Sequence, residues 1–542
     1  TTSGRYNYDA FGRRTNSTVD YGPFQLSHST TYAKTGRKKS LTYPDGSTYS
    51  YEYNETNRIQ SMDLPDSGQI TWGEYEWRRP TKVHLPGGAS KSFDLDPLQR
   101  IKEISSRDPA GNTILYREYD YDRAGNIVSK LTGEGRHDYG YDPLDRLTQA
   151  ENPALPDEEY SYDAVGNRLT SADTNGTWSY NANNELLAYN NATCSFDDNG
   201  NMVKRVINGQ VTRYIYNANN RLVRVEDGSG DVIAKYYYDP FGRRLWKEVN
   251  GKRTYFHYSE QGLIAEYDDQ GDPIRFYGYK PGSSWTTDPV FLKKDGEYYF
   301  YHNDHLGTSQ KLTASNGKVV WSARYASFGE TQLVEQEITN PLRFPGQYYD
   351  RETRLHYNYH RYYDVQVGRY LREDPIEFES EDVKFYAYVQ NNPINNIDHL
   401  GLYTWSGSGD DVGGFLLFGG ASTTYGFVTN WNTGEKCQLE IRCYKLGIVL
   451  GGGVTAKSIW ITNGPKCGKN LSGVSVGGGL EGGLGGYFSG SPAGTVGVSE
   501  VGPQGQSGGF TGGAGIGAGG AMYAFHCTTR VMSCKNTPCK CK

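Results

Sequence analysis

An aromatic-x-aromatic-Asp/Asn unit returns through the first half of this chain at a spacing near twenty residues, and that period leaves few folds open. It stands as Tyr-Asn-Tyr-Asp at Tyr6, Tyr-Glu-Tyr-Asn at Tyr51, Tyr-Asp-Tyr-Asp at Tyr119, Tyr-Gly-Tyr-Asp at Tyr139 and Tyr-Tyr-Tyr-Asp at Tyr236. From Tyr121 the second aromatic falls at positions 121, 141, 162, 180, 196, 216, 238 and 258. Each unit is read as a strand whose two aromatics dress both faces. The Asp/Asn-x-x-Gly/Asn that follows, as from Asp122 to Gly125 or Asp239 to Gly242, is turn chemistry. A return strand with Arg-Leu-Thr or Arg-Leu-Val completes the hairpin. One such hairpin buries no face by itself, so the repeats must stack into a continuous sheet. The pattern predicts an all-β body.

Composition divides the chain at Asn-Asn-Pro-Ile-Asn-Asn-Ile-Asp-His-Leu-Gly-Leu, residues 391–402. Of 46 Tyr, 41 precede Tyr403, whereas 35 of 68 Gly and seven of eight Cys lie in residues 403–542. Formal charge is -10 before the division and +4 after it, which together give the -6 of the whole chain. No run of about 18 apolar residues occurs, which argues against an ordinary membrane-spanning helix. The opening Thr-Thr-Ser-Gly leads straight into a strand-like segment, so the chain reads as the later part of a longer protein.

The repeats resemble the tyrosine-aspartate (YD) repeats of the Rhs (rearrangement hotspot) proteins, which are related to insect toxin-complex C components and to teneurins. The resemblance sharpens in Tyr-Tyr-Phe-Tyr-His-Asn-Asp-His-Leu-Gly-Thr (298–308), Leu-Arg-Phe-Pro-Gly-Gln-Tyr-Tyr-Asp (342–350), Leu-His-Tyr-Asn-Tyr-His-Arg-Tyr-Tyr-Asp (355–364) and Gly-Arg-Tyr-Leu-Arg-Glu-Asp-Pro-Ile (368–376). It implies three parts: a YD-repeat β-shell over 1–370, a self-cleaving junction over 371–402 and a variable Gly-rich toxin over 403–542, enclosed by a hollow shell. The family's junction signature, Pro-x-x-x-x-Asp-Pro-x-Gly-Leu, is matched by Pro393, Asp398, Gly401 and Leu402, with His399 replacing the second proline. By this match an intramolecular aspartyl protease cuts between Leu402 and Tyr403. Asp374 and Asp398 supply its carboxylates, and Arg372 is the supporting arginine. The chemistry requires a pair, one carboxylate activating water and one carboxyl protonating the leaving amine; neighbouring buried carboxyls share a proton. The change to His399 removes proline's restraint on φ there.

His302-Asn303-Asp304-His305 has metal-ligand residue types, but the expected role is a turn whose polar groups satisfy backbone donors; no metal or other cofactor is expected. The seven tail cysteines suit an oxidising compartment, with pairing left open.

The tail has long uncharged stretches, Val412 to Gly434 and Val501 to Thr529. Glycines four apart at Gly509, Gly513 and Gly517 suit close helix packing in a membrane, while alternation at Val474–Gly477 and Val496–Ser499 suits short strands. Enzymatic signatures are incomplete: Pro538-Cys539-Lys540-Cys541 is one residue short of a zinc-deaminase pair, and His526 is the one histidine of the tail. A cysteine nucleophile at Cys437, Cys443 or Cys467 working with His526 remains open. The expectation is therefore a delivered antibacterial toxin whose tail inserts into the target's inner membrane and depolarises it. The alternatives are an enzymatic tail (nuclease, transferase or hydrolase) and a structural or adhesive YD-repeat protein. Expected partners are that membrane, a cognate immunity protein, the preceding region of the same protein and a secretion apparatus such as the type VI system, with no nucleic acid.

Overall fold

A computed structural model describes residues 2–402 apart from 77–78, 172–175, 177 and 376–384. In the tail it describes the backbone of 405–406, 415–429, 436–450, 454–462, 475–482, 496–497, 508–511, 515–516 and 522–535. Two compact units result, Thr1–Asp410 and Asp411–Lys542. The described residues are β throughout, apart from short 3-10 turns at Pro86–Gly88 and Val389–Asn391.

In the first unit, fifteen strands from Ser3–Tyr8 to Glu158–Glu159 pair in sequence order as one antiparallel sheet. Sixteen more, from Ser179–Tyr180 to Thr331–Gln336, form a second, and four between Tyr348–Asp350 and Arg369–Tyr370 form a third. The repeat explains the order. In Tyr-Asp-Tyr-Asp at 119–122, Asp122 Oδ1 accepts from Asn126 N at 2.8 Å, and Gly125 has φ 93, where a side chain would be strained. The register slips between Asp120 and Tyr121, a bulge that recurs at Asn7/Tyr8, Gly140/Tyr141 and Tyr237/Tyr238.

The two aromatics of a unit do not dress opposite faces. Residues two apart in a strand share a face, and Tyr119 is buried in a core cluster against which Tyr121 also packs. The first aromatic fills the core. The second reaches back along its own sheet to the carbonyl that begins the preceding return strand: Tyr121 OH to Ile101 O at 2.6 Å, Tyr141 to Ile127 at 2.7 Å, Tyr238 to Leu222 at 2.6 Å and Tyr258 to Arg244 at 2.9 Å. A hydroxyl is thus spent on locking one repeat to the one before it.

The first two sheets share a core. Tyr21 OH donates to Phe256 O at 2.7 Å, Tyr43 OH donates to Tyr277 O at 2.6 Å, and His28 Nδ1 meets His257 Nε2 at 2.9 Å. Of the 302–305 stretch, His302 and Asn303 end the strand Glu297–Asn303, and the expected turn begins at Asp304, whose Oδ1 accepts from the amides of Leu306 at 3.0 Å and Thr308 at 2.9 Å.

In the second unit Phe415–Thr429, Lys436–Leu450, Met522–Lys535 and Gly508–Thr511 pair in that order, and Val454–Thr462, Ser475–Gly482 and Val496–Gly497 form a smaller sheet. The helix-packing expectation fails at Gly509, which lies in a strand; Gly513 and Gly517 fall outside the described residues. No helix among the described residues is long and apolar enough to cross a membrane.

Candidate self-cleavage site

The junction segment is stitched into the repeat sheets by its asparagines. Asn391 Nδ2 donates to Gly166 O at 2.8 Å, Asn392 Nδ2 to Asn126 Oδ1 at 3.0 Å, and Asn395 Oδ1 accepts from Ile127 N at 2.7 Å. His305 Nε2 donates to Ile394 O at 2.8 Å. Pro393, whose ring has no N–H to satisfy, lies buried between these anchors. Beyond them Asn396–Ile397 pairs with Trp405–Ser406, Asn396 opposite Ser406 and Ile397 opposite Trp405, so the chain is held on both sides of the Leu402–Tyr403 bond. Tyr403 itself lies outside the described residues.

Within that clamp Arg361 gathers the expected carboxylates. It sits on the strand Arg361–Asp364, all four residues of which are buried. Its Nη2 is 2.8 Å from Asp374 Oδ2 and 3.3 Å from Asp398 Oδ2, so the two oxygens are no further apart than the sum of those distances. Its Nε donates to Gly401 O at 2.7 Å and its Nη1 to Phe385 O at 2.9 Å. Tyr370 OH donates to Asp398 Oδ2 at 2.7 Å, and its ring lies 3.7 Å below the guanidinium. Burial, and then the Asp398 charge, push the Tyr370 hydroxyl well above the usual phenol range, so it remains a donor. Asn358 Nδ2 donates to Asp398 O at 2.7 Å and to Tyr370 OH at 2.8 Å. Asp398 Oδ1 accepts from Leu402 N at 3.0 Å.

The backbone is packed as tightly as the side chains. Gly401 has φ +68, and a Cβ there would stand 2.5 Å from Asn358 O. At Gly346 a Cβ would stand 2.2 Å from His399 O. His399, free of proline's restraint, is thus confined by packing, and burial lowers its imidazole to about 4 despite neighbouring Asp398.

Of the residues expected from the sequence, Asp374, Asp398, Gly401 and Leu402 converge here, but Arg372 is not the arginine between the carboxylates. Its Nη1 donates to Asn220 O at 2.6 Å, and its backbone makes a bridge with Asn201. Burial lowers it to about 10, with Arg221 and Arg361 adding to the effect and Asp374 opposing it. The reason is direction: Arg372 borders the second sheet, whereas Arg361 projects from an interior strand between the acids. Arg361, Tyr370 and Asn358 were missed, although the sequence offered a signal. A lone arginine inside the tyrosine-rich, acid-free run Tyr357 to Tyr363 must, if that run is buried, find acid partners from elsewhere in the chain.

A repeat-built body whose last segment brings two buried acids onto one arginine has the architecture of a YD-repeat protein, and the comparisons agree on it. The family described as "Teneurin YD-shell" matches residues 110–408. The chain belongs to this YD-shell family, and its body is that of an Rhs/YD-repeat polymorphic toxin. It is 30% identical over 358 residues to the double-stranded DNA deaminase toxin A of Burkholderia cenocepacia, covering 58% of this chain and 25% of that protein. Against the tRNA nuclease WapA of Bacillus subtilis the figures are 29% over 334 residues, 59% and 14%. Against the toxin protein Tse5 of Pseudomonas aeruginosa they are 26% over 375 residues, 56% and 28%. The chain thus spans little more than a quarter of these relatives at most. The Photorhabdus luminescens Tc holotoxin pore shares its fold, with TM-score 0.62 and 18% identity, over 74% of this chain and 23% of that one.

Proposed function

We propose that this chain is the carrier end of a delivered antibacterial toxin: its repeat body encloses the tail, cuts it loose after Leu402, and the tail is an enzyme. The observation that carries the cleavage reading is the single guanidinium holding Asp374, Asp398 and the Gly401 carbonyl together. Asp398, which accepts from Tyr370, Arg361 and the Leu402 amide, takes a proton from water as it attacks the Leu402 carbonyl; Asp374 delivers one to the departing Tyr403 amine. Arg361 is a positioning residue that fixes the peptide one residue upstream. Severing the bond inside a closed container costs the cell nothing until the container opens. The roles of the preceding region, a secretion apparatus and an immunity protein follow from this reading.

Denaturing electrophoresis tests it. The 60.6 kDa chain should resolve into a body and a tail of about 15 kDa, whereas Asp374→Asn or Asp398→Asn should leave one band. Continued cutting at Leu402–Tyr403 in either variant would refute the dyad.

For the tail, an enzyme is better supported than the membrane-inserting toxin expected from its uncharged stretches. Relatives that match a comparable share of this chain are named for a deaminase acting on DNA and a nuclease acting on tRNA. The strand register also sorts the candidates. His526 stands opposite Tyr444, and Arg442, Glu440 and Arg530 share its face by alternation, while Cys437 and Cys443 belong to the other face. A cysteine–histidine dyad built from those residues is therefore disfavoured, and His526 with the charged face is the place to probe. If tail expression kills without depolarising cells and His526→Ala abolishes killing at equal abundance, the enzyme stands. Depolarisation that survives His526→Ala would restore the membrane.

A further inference from the structure

The central strand pair of the tail carries two cysteines on each strand, and the register sets all four opposite one another. Lys436–Leu450 runs antiparallel to Met522–Lys535 with Cys437 opposite Cys534 and Cys443 opposite Cys527. The coincidence is not a trivial result of spacing. Cys437 and Cys443 are six residues apart, Cys527 and Cys534 seven, so a regular ladder that aligned one pair would miss the other by a residue. A bulge corrects this: Gln438 pairs with Ser533 and Leu439 with Val531, so that Met532 is passed over and the register slips by the one residue required. The same slip returns Cys527 and Cys534 to one face of their strand, as alternation does for Cys437 and Cys443.

We infer that the tail is stapled by two disulfides, Cys437 to Cys534 and Cys443 to Cys527. Directly opposed residues of antiparallel strands have Cα atoms roughly 4.5 or 5.5 Å apart, inside the span of about 4.4–6.8 Å that a disulfide bridges. Both staples join strands from opposite ends of the tail, so each closes a loop holding most of it, the arrangement that restricts an unfolded chain most. For each bridge two thiols lose two protons and two electrons. The acceptor is a small-molecule or protein disulfide, which one cysteine thiolate attacks to give a mixed disulfide; the second thiolate then displaces it, leaving the acceptor as two thiols. The staples form where such acceptors prevail, outside a reducing cytosol. They do not depend on the self-cleavage or on the tail's activity.

Trypsin offers a direct map. Cutting after Lys436, Arg442, Lys445, Lys469, Arg530 and Lys535 places the four cysteines on separate peptides, 437–442, 443–445, 470–530 and 531–535. The purified full chain is equilibrated with oxidised glutathione, free thiols are alkylated, and the digest is weighed with and without reductant. Peptide 437–442 should be found joined to 531–535 and peptide 443–445 joined to 470–530, both species disappearing on reduction. In Cys437→Ser, Cys534 should become alkylated while the other linkage stays. Exchanged partners, linkage to Cys467, Cys539 or Cys541, or four alkylated cysteines after oxidation would overturn the assignment, and the wild-type map decides even if the variant misfolds.

Discussion

The tetrapeptide Asp-His-Leu-Gly occurs twice in this chain, at 304–307 and at 398–401, and the two copies lead to different chemistry. Locally they are alike. Each glycine has positive φ, 88 at Gly307 and 68 at Gly401, and each aspartate Oδ1 accepts from the amide four residues on, Thr308 at 2.9 Å and Leu402 at 3.0 Å. The difference is the other carboxylate oxygen. Asp304 Oδ2 accepts from the amide of Gln310 at 3.0 Å, a neutral partner in the next strand. Asp398 Oδ2 meets Tyr370 and Arg361, with Asp374 on the same guanidinium. A structural turn becomes a candidate catalytic one through what the fold brings to a single oxygen.

The sharpest break between the two copies is expected in self-cleavage. Asp398→Asn should slow it by at least about 100-fold, the usual lower bound for removing an acid–base group, while Asp304→Asn should still cut. Equal loss in both, followed on denaturing gels over time, would mean that the turns matter for folding alone.

Stability should separate them next. Arg361→Ala strands two buried carboxylates and should cost about 3–5 kcal/mol in urea unfolding as well as abolish cutting. Gln310→Ala, which removes a neutral partner of Asp304, should cost about 1 kcal/mol. Arg361→Lys keeps the charge but not the fork, and should fold better than it cuts. Arg372→Ala should impair cleavage less than Arg361→Ala, or the arginine assignment is wrong.

The glycines sharpen the comparison further. A Cβ at Gly401 would stand 2.5 Å from a carbonyl oxygen, whereas at Gly307 the nearest atom is Asp288 N at 3.1 Å. Both alanine variants carry left-handed strain of about 1 kcal/mol or more. Gly401→Ala should therefore lower the melting temperature more and cut more slowly, whereas equal melting shifts would erase the distinction.

Acid should act on both copies in the same direction. Burial lowers His305, and lowers His399 to about 4 from 6.5. Because the unfolded chain binds protons more readily, the stability these neutral imidazoles contribute is complete above pH 6.5 and is lost as pH falls toward 4. A urea midpoint that declines over this window, with a shallower slope in His399→Asn, is the expected outcome. The smallest effect belongs to the repeats: Tyr121→Phe removes one hydroxyl-to-carbonyl bond and should cost about 1 kcal/mol without touching cleavage.

Much of this architecture was legible without coordinates because its causes are local. The Asp-x-x-Gly turn uses a side chain to satisfy amides two and four residues away, and hairpins that cannot bury a face singly must stack, so the all-β body and the strand order were already implied. The motif at 393–402 likewise marked Asp398 and Gly401. What local pattern cannot reveal is which arginine meets an acid from a distant strand. Arg372 stands two residues from Asp374 and Arg361 thirteen, yet Arg361 spans the pair, because a strand interior to the last small sheet aims it there. Sequence gave the unit's two tyrosines equal weight; the bulge and the preceding strand made one a core residue and the other a tie between repeats. The cysteines follow the same rule, since spacings of six and seven look incompatible until a bulge at Met532 brings them into register. Local chemistry settled the turns and the order of the strands, and long-range register settled which groups meet.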